Sequence, residues 1–570
     1  MTEPNRDFPC PSSEPPWPRL LAVASVGAAF SLLFTGFVFG IDNNVFHLPI
    51  VASLYDEPQF QHDTFIQSLR YFSSGIWLIL GGTARWIDPY ALFLGLAFVS
   101  RLLAFVGFLL CATLLGVRGM RPACVFAVLI CFASLLQGEA AAGDGGLFLN
   151  YFTHSEMANG TTLIAIYYVL RARPAAAVVW VGITFFINIF MAAWLLVPFA
   201  ALAAVDLAAG RLQPRPLLRE LLRAGAVFCL LAAPVLVNLV SNPEFAVPPK
   251  FDYTAFTIFH YPYHFMPNFT PFREYVELAV VLVLGSMSLL ELRGAADRLR
   301  VVFAGMALTY IAGALLLLLV TTQLLLNLSL LRSGVLLYLV AGLTSAAVAT
   351  TWLGSQQRMV ARVFAPALII ALCTVKLLLP AALVCIGLKW VWDVRGRDFA
   401  LPRLDWAVFV LLALTVWPWA YARNHKEDSR EASYSSELAR VGDWAREHTA
   451  ADAVFLLPTE WQRKGFHPPV APYVVIERNI VEAEGSFVYH SHRRVRGSFK
   501  QGAAMLWSPS YYSEWQPEIA ATLRLRTLAQ KLGYARRQHI DYILASCLEA
   551  EGSNPAIVMH TEHVCVFAVQ

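Results

Sequence analysis

GIDNNVFHLPIVASLYDEPQFQHDTFIQ (residues 40–67) directly follows RLLAVASVGAAFSLLFTGFVF (19–39), an apolar stretch long enough to span a bilayer. The loop carries Asp42, His47, Asp56, Glu57, His62 and Asp63. Ionisable groups are costly beside a hydrocarbon slab, so a membrane chain that crowds them just past its first span is building a site at the membrane face. Carboxylates held there act as bases, orient a hydroxyl or bind a cation.

Composition agrees with a membrane setting. The 570 residues are 57% hydrophobic and only 14% charged, more apolar surface than a soluble core absorbs. The net charge of +4 is small and no basic run stands out, so nucleic acid is not an expected partner. The Pro-rich, polar start (1–18) reads as a disordered cytosolic leader. The first span lacks a signal-peptide cleavage pattern and is expected to be retained.

Candidate spans fall near 19–39, 90–116, 122–138, 160–170, 175–205, 222–241, 273–292, 301–325, 333–353, 363–392 and 404–421. Segments 175–205 and 363–392 are too long for one helix and read as pairs of short ones, with Pro380 as the break in the second. Segment 71–83 is too short to cross and suits an interfacial or re-entrant helix. Arginine clusters lie at 118/121, 171/173, 211–223, 293–300, 358/362 and 395–403. Placing all of them on the cytosolic side gives about 11–13 crossings, with the N-terminus inside and the C-terminus outside. The loops left outside hold most of the acids and histidines, so the functional face is the outer one.

The expected domains are the leader, a transmembrane region 19–421 with the acidic outer loop 40–70, and an extracytoplasmic α/β domain 422–570. Residues 422–433 (ARNHKEDSREAS) read as a charged linker and SSELARVGDWAREH as a helix. AVFLLP (453–458), YVVIER (473–478), DYILAS (541–546) and CVFAV (565–569) fit buried strands. Cys547 and Cys565 are the tail's two cysteines; they either pair in an oxidising compartment or remain buried thiols.

Residue patterns in the loop and the tail resemble GT-C-type membrane glycosyltransferases, in particular a largely uncharacterised bacterial branch. The loop carries Asp42, then His47-Leu48-Pro49, then Pro58-Gln59-Phe60 and Asp63-Thr64-Phe65. ELARVGDWAREHTAADAVFLLP (437–458) is similar to the helix-then-strand unit that opens the family's outer domain, and IDYILAS (540–546) to its later strand. Asp42-Asn43-Asn44 stands where many of these enzymes carry an Asp-Glu pair. The resemblance implies a polytopic helical protein of the bacterial inner membrane. Its implied reaction transfers a sugar from a polyprenyl-phosphate carrier, within the lipid, to an acceptor whose identity is open.

Such chemistry needs a base for the acceptor proton and a cation for the leaving phosphate. Asp42 is the expected catalytic base; the alternative is a turn carboxylate bonded to backbone. His62 and Asp63 come next, with Asp63 equally suited to cap the helix at Thr64. His47 joins the same loop, and His154 and Glu156 in NYFTHSEMANG either line the cavity or sit in a solvated loop. Arg332 at the outer end of a span either grips a phosphate or snorkels to headgroups. Asp144 reads as a turn residue, His260 and His264 as part of an aromatic interfacial anchor rather than a metal pair, and Lys389 as a snorkelling lysine. No cofactor is indicated, although a divalent cation would suit the reaction. A transporter or flippase for a lipid-linked or small polar solute is the alternative, as is an inactive scaffold. Transport sites sit at the bilayer midplane, whereas these acids crowd the outer loops.

Overall fold

The computed structural model describes residues 17–245, 247–292, 294–395, 405–459, 472–550 and 556–569. The expected leader lies almost wholly outside the described residues. The protein is a helical, multi-pass membrane protein. Among the described residues, seven helices are long and apolar enough to cross a bilayer: Trp17–Thr35, Pro89–Leu114, Ile189–Ala208, Pro214–Ser241, Ala296–Leu319, Gln323–Leu353 and Lys376–Val394. Shorter apolar helices follow the same plan at Met120–Phe132, Pro174–Ile187 and Val360–Cys373.

Both long apolar segments break, each for a local reason. The first breaks at Asn188, which takes extended dihedrals and accepts from the N–H groups of Phe190 and Met191. That side chain satisfies two donors which a helix start leaves open. The second breaks at Val375, in extended conformation, and not at Pro380. Pro380 is the second residue of the next helix, Leu379–Arg395, where its missing N–H costs nothing. Segment 71–83 forms only the short helix Gly75–Leu80, with Ile79 and Trp86 exposed beside it.

The tail carries one mixed sheet. Strands β1 (Val454–Leu456), β2 (Arg494–Arg496), β3 (Tyr542–Ser546), β4 (Ile557–His560) and β5 (Val564–Ala568) lie in the order β2-β1-β3-β5-β4. β1 runs parallel to β2 and β3, and β5 is antiparallel to β3 and β4. A disulfide joins Cys547 to Cys565. YVVIER is not a strand: it opens the helix Pro472–Glu482. Proline at the first helical position, the Arg478–Glu482 pair at 3.0 Å and a buried side formed by Asn479, Ile480 and Ala483 all favour that helix over a strand. The charged stretch 422–433 is not a linker either. It runs inside the single helix Asp405–His448, whose Lys, Glu, Arg and Ala content suits a helix.

That long helix packs on the helix Glu484–Ser491, where a Cβ at Gly442 would lie 2.7 Å from the His490 Cβ. The tail therefore sits directly on the membrane region, and one buried cluster runs through both, from Val38 and Val45 to Leu438 and Phe487. Glu484 ties the tail together from within. Its oxygens accept from the Ser498 hydroxyl at 2.6 Å and the Gln501 amide at 3.0 Å. Burial pushes its carboxyl up to about 7. Its proton is held more tightly in the folded chain, so the stability it contributes is complete below about 4.5 and is lost as the pH rises through about 7. Melting of the detergent-solubilised protein should therefore weaken across that window, and Glu484→Gln should flatten the dependence and melt higher at pH 8.

Candidate active site

The first loop is wound tightly before Asp42. Gly40 and Asp42 both take left-handed dihedrals, with φ of 81° and 52°. Asn44 fixes the turn by accepting from the Gly40 N–H at 3.1 Å and donating to the Phe152 carbonyl at 3.2 Å. The Asp42 N–H donates to the Glu482 carbonyl of the tail at 2.7 Å. This holds the Asp42 carboxylate at the seam between loop and tail, where both oxygens are engaged. The Tyr151 hydroxyl donates to Oδ2 at 2.6 Å, and the Lys500 ammonium contacts Oδ1. Burial and then the charge of Glu139 push the Tyr151 hydroxyl well above its ordinary range, which keeps it a donor.

Asp42 opens into a cavity of about 210 Å³ shared with Glu139, Tyr151, Glu431 and Glu482. Two neighbouring spaces share its lining residues. Through Asn150 and Glu431 it adjoins one of about 390 Å³ that reaches Thr35, Gln137 and Asp428. Through Glu139 it adjoins a groove of about 750 Å³ along the helices Phe272–Glu291 and Leu379–Arg395. Lys376 lines both outer spaces.

The turn at Glu139–Gly146 forms the wall between these spaces. Ala142 and Asp144 are left-handed, with φ of 57° and 52°, a conformation non-glycine residues adopt only when firmly held. Its carbonyls and N–H groups have partners from three helices. Ala142 N donates to Glu274 at 2.9 Å, Ala141 N to the Tyr338 hydroxyl at 3.2 Å, and the Tyr310 hydroxyl donates to the Ala142 carbonyl at 3.0 Å. Asp144 is thus a turn residue, and its carboxylate lies 3.7 Å from the His264 ring. Arg332 folds back onto the turn, donating to the Asp144 carbonyl at 3.4 Å, while its buried Nε finds no hydrogen-bond partner among the described residues.

The other sequence candidates separate by environment. Asp63 caps the helix Thr64–Ser68, accepting from the Ile66 N–H at 2.9 Å, and burial raises its carboxyl. His62 is exposed. His47 is buried, stacked on Trp77 with ring centres 4.1 Å apart and His154 at 5.6 Å. Burial and then His154 hold it well below its usual range, so it packs as a neutral ring. His154 accepts from the Trp77 indole at 3.3 Å. Lys389 pairs with Glu291 and Asp393, each at 2.7 Å.

Glu156 meets a charge that sequence reasoning missed. Arg101, deep in the helix Pro89–Leu114, pairs with it at 2.9 Å, stacks over Phe148 at 4.2 Å and donates to the Leu149 carbonyl. Tyr151, Lys376 and Lys500 were missed as well; only the position of Tyr151 beside the Thr-His motif gave a signal. In the tail, Glu437, Glu562 and His563 bring ligand-type atoms within 4.8 Å of one another. Glu437 spends its oxygens on the Thr561 hydroxyl and on the N–H and ring of His563, a structural use.

No known family model matches the sequence, and no curated protein matches it. Solved structures similar to the chain include ArnT from Cupriavidus metallidurans in the apo state, at 10% identity over 97% of this chain and 98% of that one, with a TM-score of 0.44. The same protein bound to undecaprenyl phosphate gives 11%, 97% and 97%, with 0.42. The archaeal oligosaccharyltransferase AglB from Archaeoglobus fulgidus, in complex with an inhibitory peptide and a dolichol-phosphate, gives 16%, 94% and 70%, with 0.37.

Because Arg101 is only 1% exposed, removing its partner strands a buried charge. Glu156→Gln should cost about 3–5 kcal/mol, while replacing both Arg101 and Glu156 by methionine should cost less than that single change. Urea or thermal denaturation in detergent would rank the three proteins.

Proposed function

We propose that this chain is an integral membrane glycosyltransferase that moves a sugar from a polyprenyl-phosphate donor to an acceptor at the outer face of the bacterial inner membrane. The observation that carries this reading is an amphiphilic groove that shares Glu139 with the cavity of the Asp42 carboxylate. One part of the groove is apolar, lined by Phe272, Val276, Val280 and Leu377. The other part holds Arg273 and Lys376 beside Glu139, Glu274 and Glu277. The Lys376 ammonium donates to the Glu139 carbonyl at 2.7 Å and lies 3.6 Å from Glu277. An isoprenoid tail suits the apolar wall, a phosphate suits the two cations, and the space past Glu139 leads a sugar toward Asp42.

The reaction then follows from the residues. The acceptor hydroxyl loses its proton to Asp42 as its oxygen bonds to the anomeric carbon. The bond from that carbon to the phosphate oxygen breaks, and the charge stays on the carrier, steadied by Lys376 and Arg273. Arg332, held on the turn through the Asp144 carbonyl, serves as a third cation. Tyr151 fixes the orientation of Asp42. The transporter reading asks for ionisable groups in the spans. Arg101 is one, but its contacts to Glu156 and the Leu149 carbonyl tie it in place.

The domain assignment belongs to this proposal: arginine clusters inside, residues 422–570 outside. Reporter fusions at Gln356 and Tyr434 should give opposite signals, and equal signals would reject the arrangement. For the chemistry, Asp42→Asn should slow transfer from an undecaprenyl-phosphate sugar by roughly a hundredfold or more with little change in melting. Lys376→Met should weaken undecaprenyl phosphate binding about tenfold. Near-full activity in Asp42→Asn would remove it as the base.

A further inference from the structure

We propose that Lys500 is a shared counter-ion: it neutralises Asp42 before the carrier binds, and passes to the carrier phosphate when the donor lipid arrives, which frees Asp42 to take the acceptor proton. This rests on the carrier reading above and adds a positioning residue from the tail.

The starting point is the occupancy of Asp42. One oxygen holds the Tyr151 hydroxyl and the other the Lys500 ammonium. A carboxylate oxygen paired with an ammonium is a poor proton acceptor, because the opposite charge favours the ionised form. For Asp42 to act as a base, Lys500 has to let go. The ionisable groups lining the cavity beside Asp42 are Tyr151 and the acids Glu139, Glu431 and Glu482. An anion that approaches Asp42 meets these acids, and the cation in contact with Asp42 is Lys500.

The tail is built to permit the exchange. Two residues before Lys500, the Ser498 hydroxyl donates to Glu484; one residue after it, the Gln501 amide does the same. The backbone is thereby anchored, while the ammonium stands at the end of a flexible four-carbon stem with three rotatable donors. It can change acceptors without moving the domain. The donor's phosphate is a diester with one negative charge and two free oxygens, so it matches Asp42 as a partner for the ammonium. The exchange is therefore close to balanced, and binding of the lipid tips it. No bond is made or broken in it, and the only proton to move afterwards is the acceptor's, to Asp42.

The test is a titration of the full-length protein in detergent with undecaprenyl phosphate, read by native mass spectrometry, with melting temperatures followed in parallel. Lys500→Met should weaken binding about tenfold, and Lys500→Arg should restore most of it. Asp42→Asn should tighten binding, because the competitor for the ammonium is gone, and the double variant should match Lys500→Met. Equal weakening by Asp42→Asn and Lys500→Met would mark a pair that only holds the fold and would overturn the proposal. Unchanged affinity in either variant would overturn it too. Lys376→Met separates the two readings. If it weakens binding and Lys500→Met does not, the carrier reading stands without the counter-ion. If the wild-type protein binds no undecaprenyl phosphate, both fall.

Discussion

Gly485 touches the backbone of the first loop, and the rest of the site depends on that approach. A Cβ there would lie 2.9 Å from the Asn44 carbonyl carbon, the Gly40 oxygen and the Val45 nitrogen. No side chain fits, so the tail helix beginning at Glu484 lies flush against the loop. Ser486 N then reaches the Gly40 carbonyl at 3.0 Å, and Asp42 N reaches the Glu482 carbonyl. These main-chain bonds supply partners for backbone groups that a left-handed turn leaves exposed. They also bring Glu482 and Lys500 to within reach of Asp42. The tail is thereby one wall of the cavity. Any change that pushes Gly485 away opens the cavity and separates the pair.

A second constraint works from the membrane side. The turn at 139–146 enters a region where unpartnered backbone is expensive, and it holds left-handed alanine and aspartate. Three tyrosine and glutamate side chains, Tyr310, Tyr338 and Glu274, meet its polar atoms from the surrounding helices. Tyr338 also donates to Glu277 at 3.0 Å, which in turn faces Lys376. The turn, the groove and its cation are therefore one hydrogen-bonded unit. Strain in the turn is sustained by the same residues that set the polar end of the groove, so the two spaces keep a fixed relation to each other.

The sequence made the class legible because membrane spans are read by length and apolarity, which need no tertiary knowledge. The strands at 454–456, 542–546 and 564–568 were legible for a similar reason: each is a short continuous apolar run between turns. Arg494–Arg496 and Ile557–His560 were not. They lie at the sheet edges with exposed or half-exposed side chains; Arg494–Arg496 has no apolar run to mark it, and the apolar run of Ile557–His560 is only three residues long. YVVIER misled because a run of four apolar residues fits either period, and the Pro472 start and the charge pair downstream decide it. In the site, Asp42 could be picked out because it follows a span. Lys500 lies more than 450 residues away in sequence, and nothing local in GSFKQG points to a carboxylate on the other side of the chain.

Glu156 and Asp42 show why residue type alone does not settle a role at a membrane face. Asp42 sits in a turn and Glu156 in the first turn of the helix His154–Leu170, and both carboxylates meet a cation and a hydrogen-bond donor. The Glu156 side chain is 4% exposed, and its partner Arg101 is 1% exposed and also bound to a carbonyl and an aromatic face. Neither group can change partners without leaving a bare charge in an apolar interior, so the pair is fixed. Asp42 is 31% exposed and Lys500 22%, and Asp42 lines a cavity. Water or a substrate group there can replace either partner at small cost. The distinction lies in what is available when the pair separates: for Arg101 and Glu156 there is no other partner, whereas for Asp42 and Lys500 the cavity supplies one.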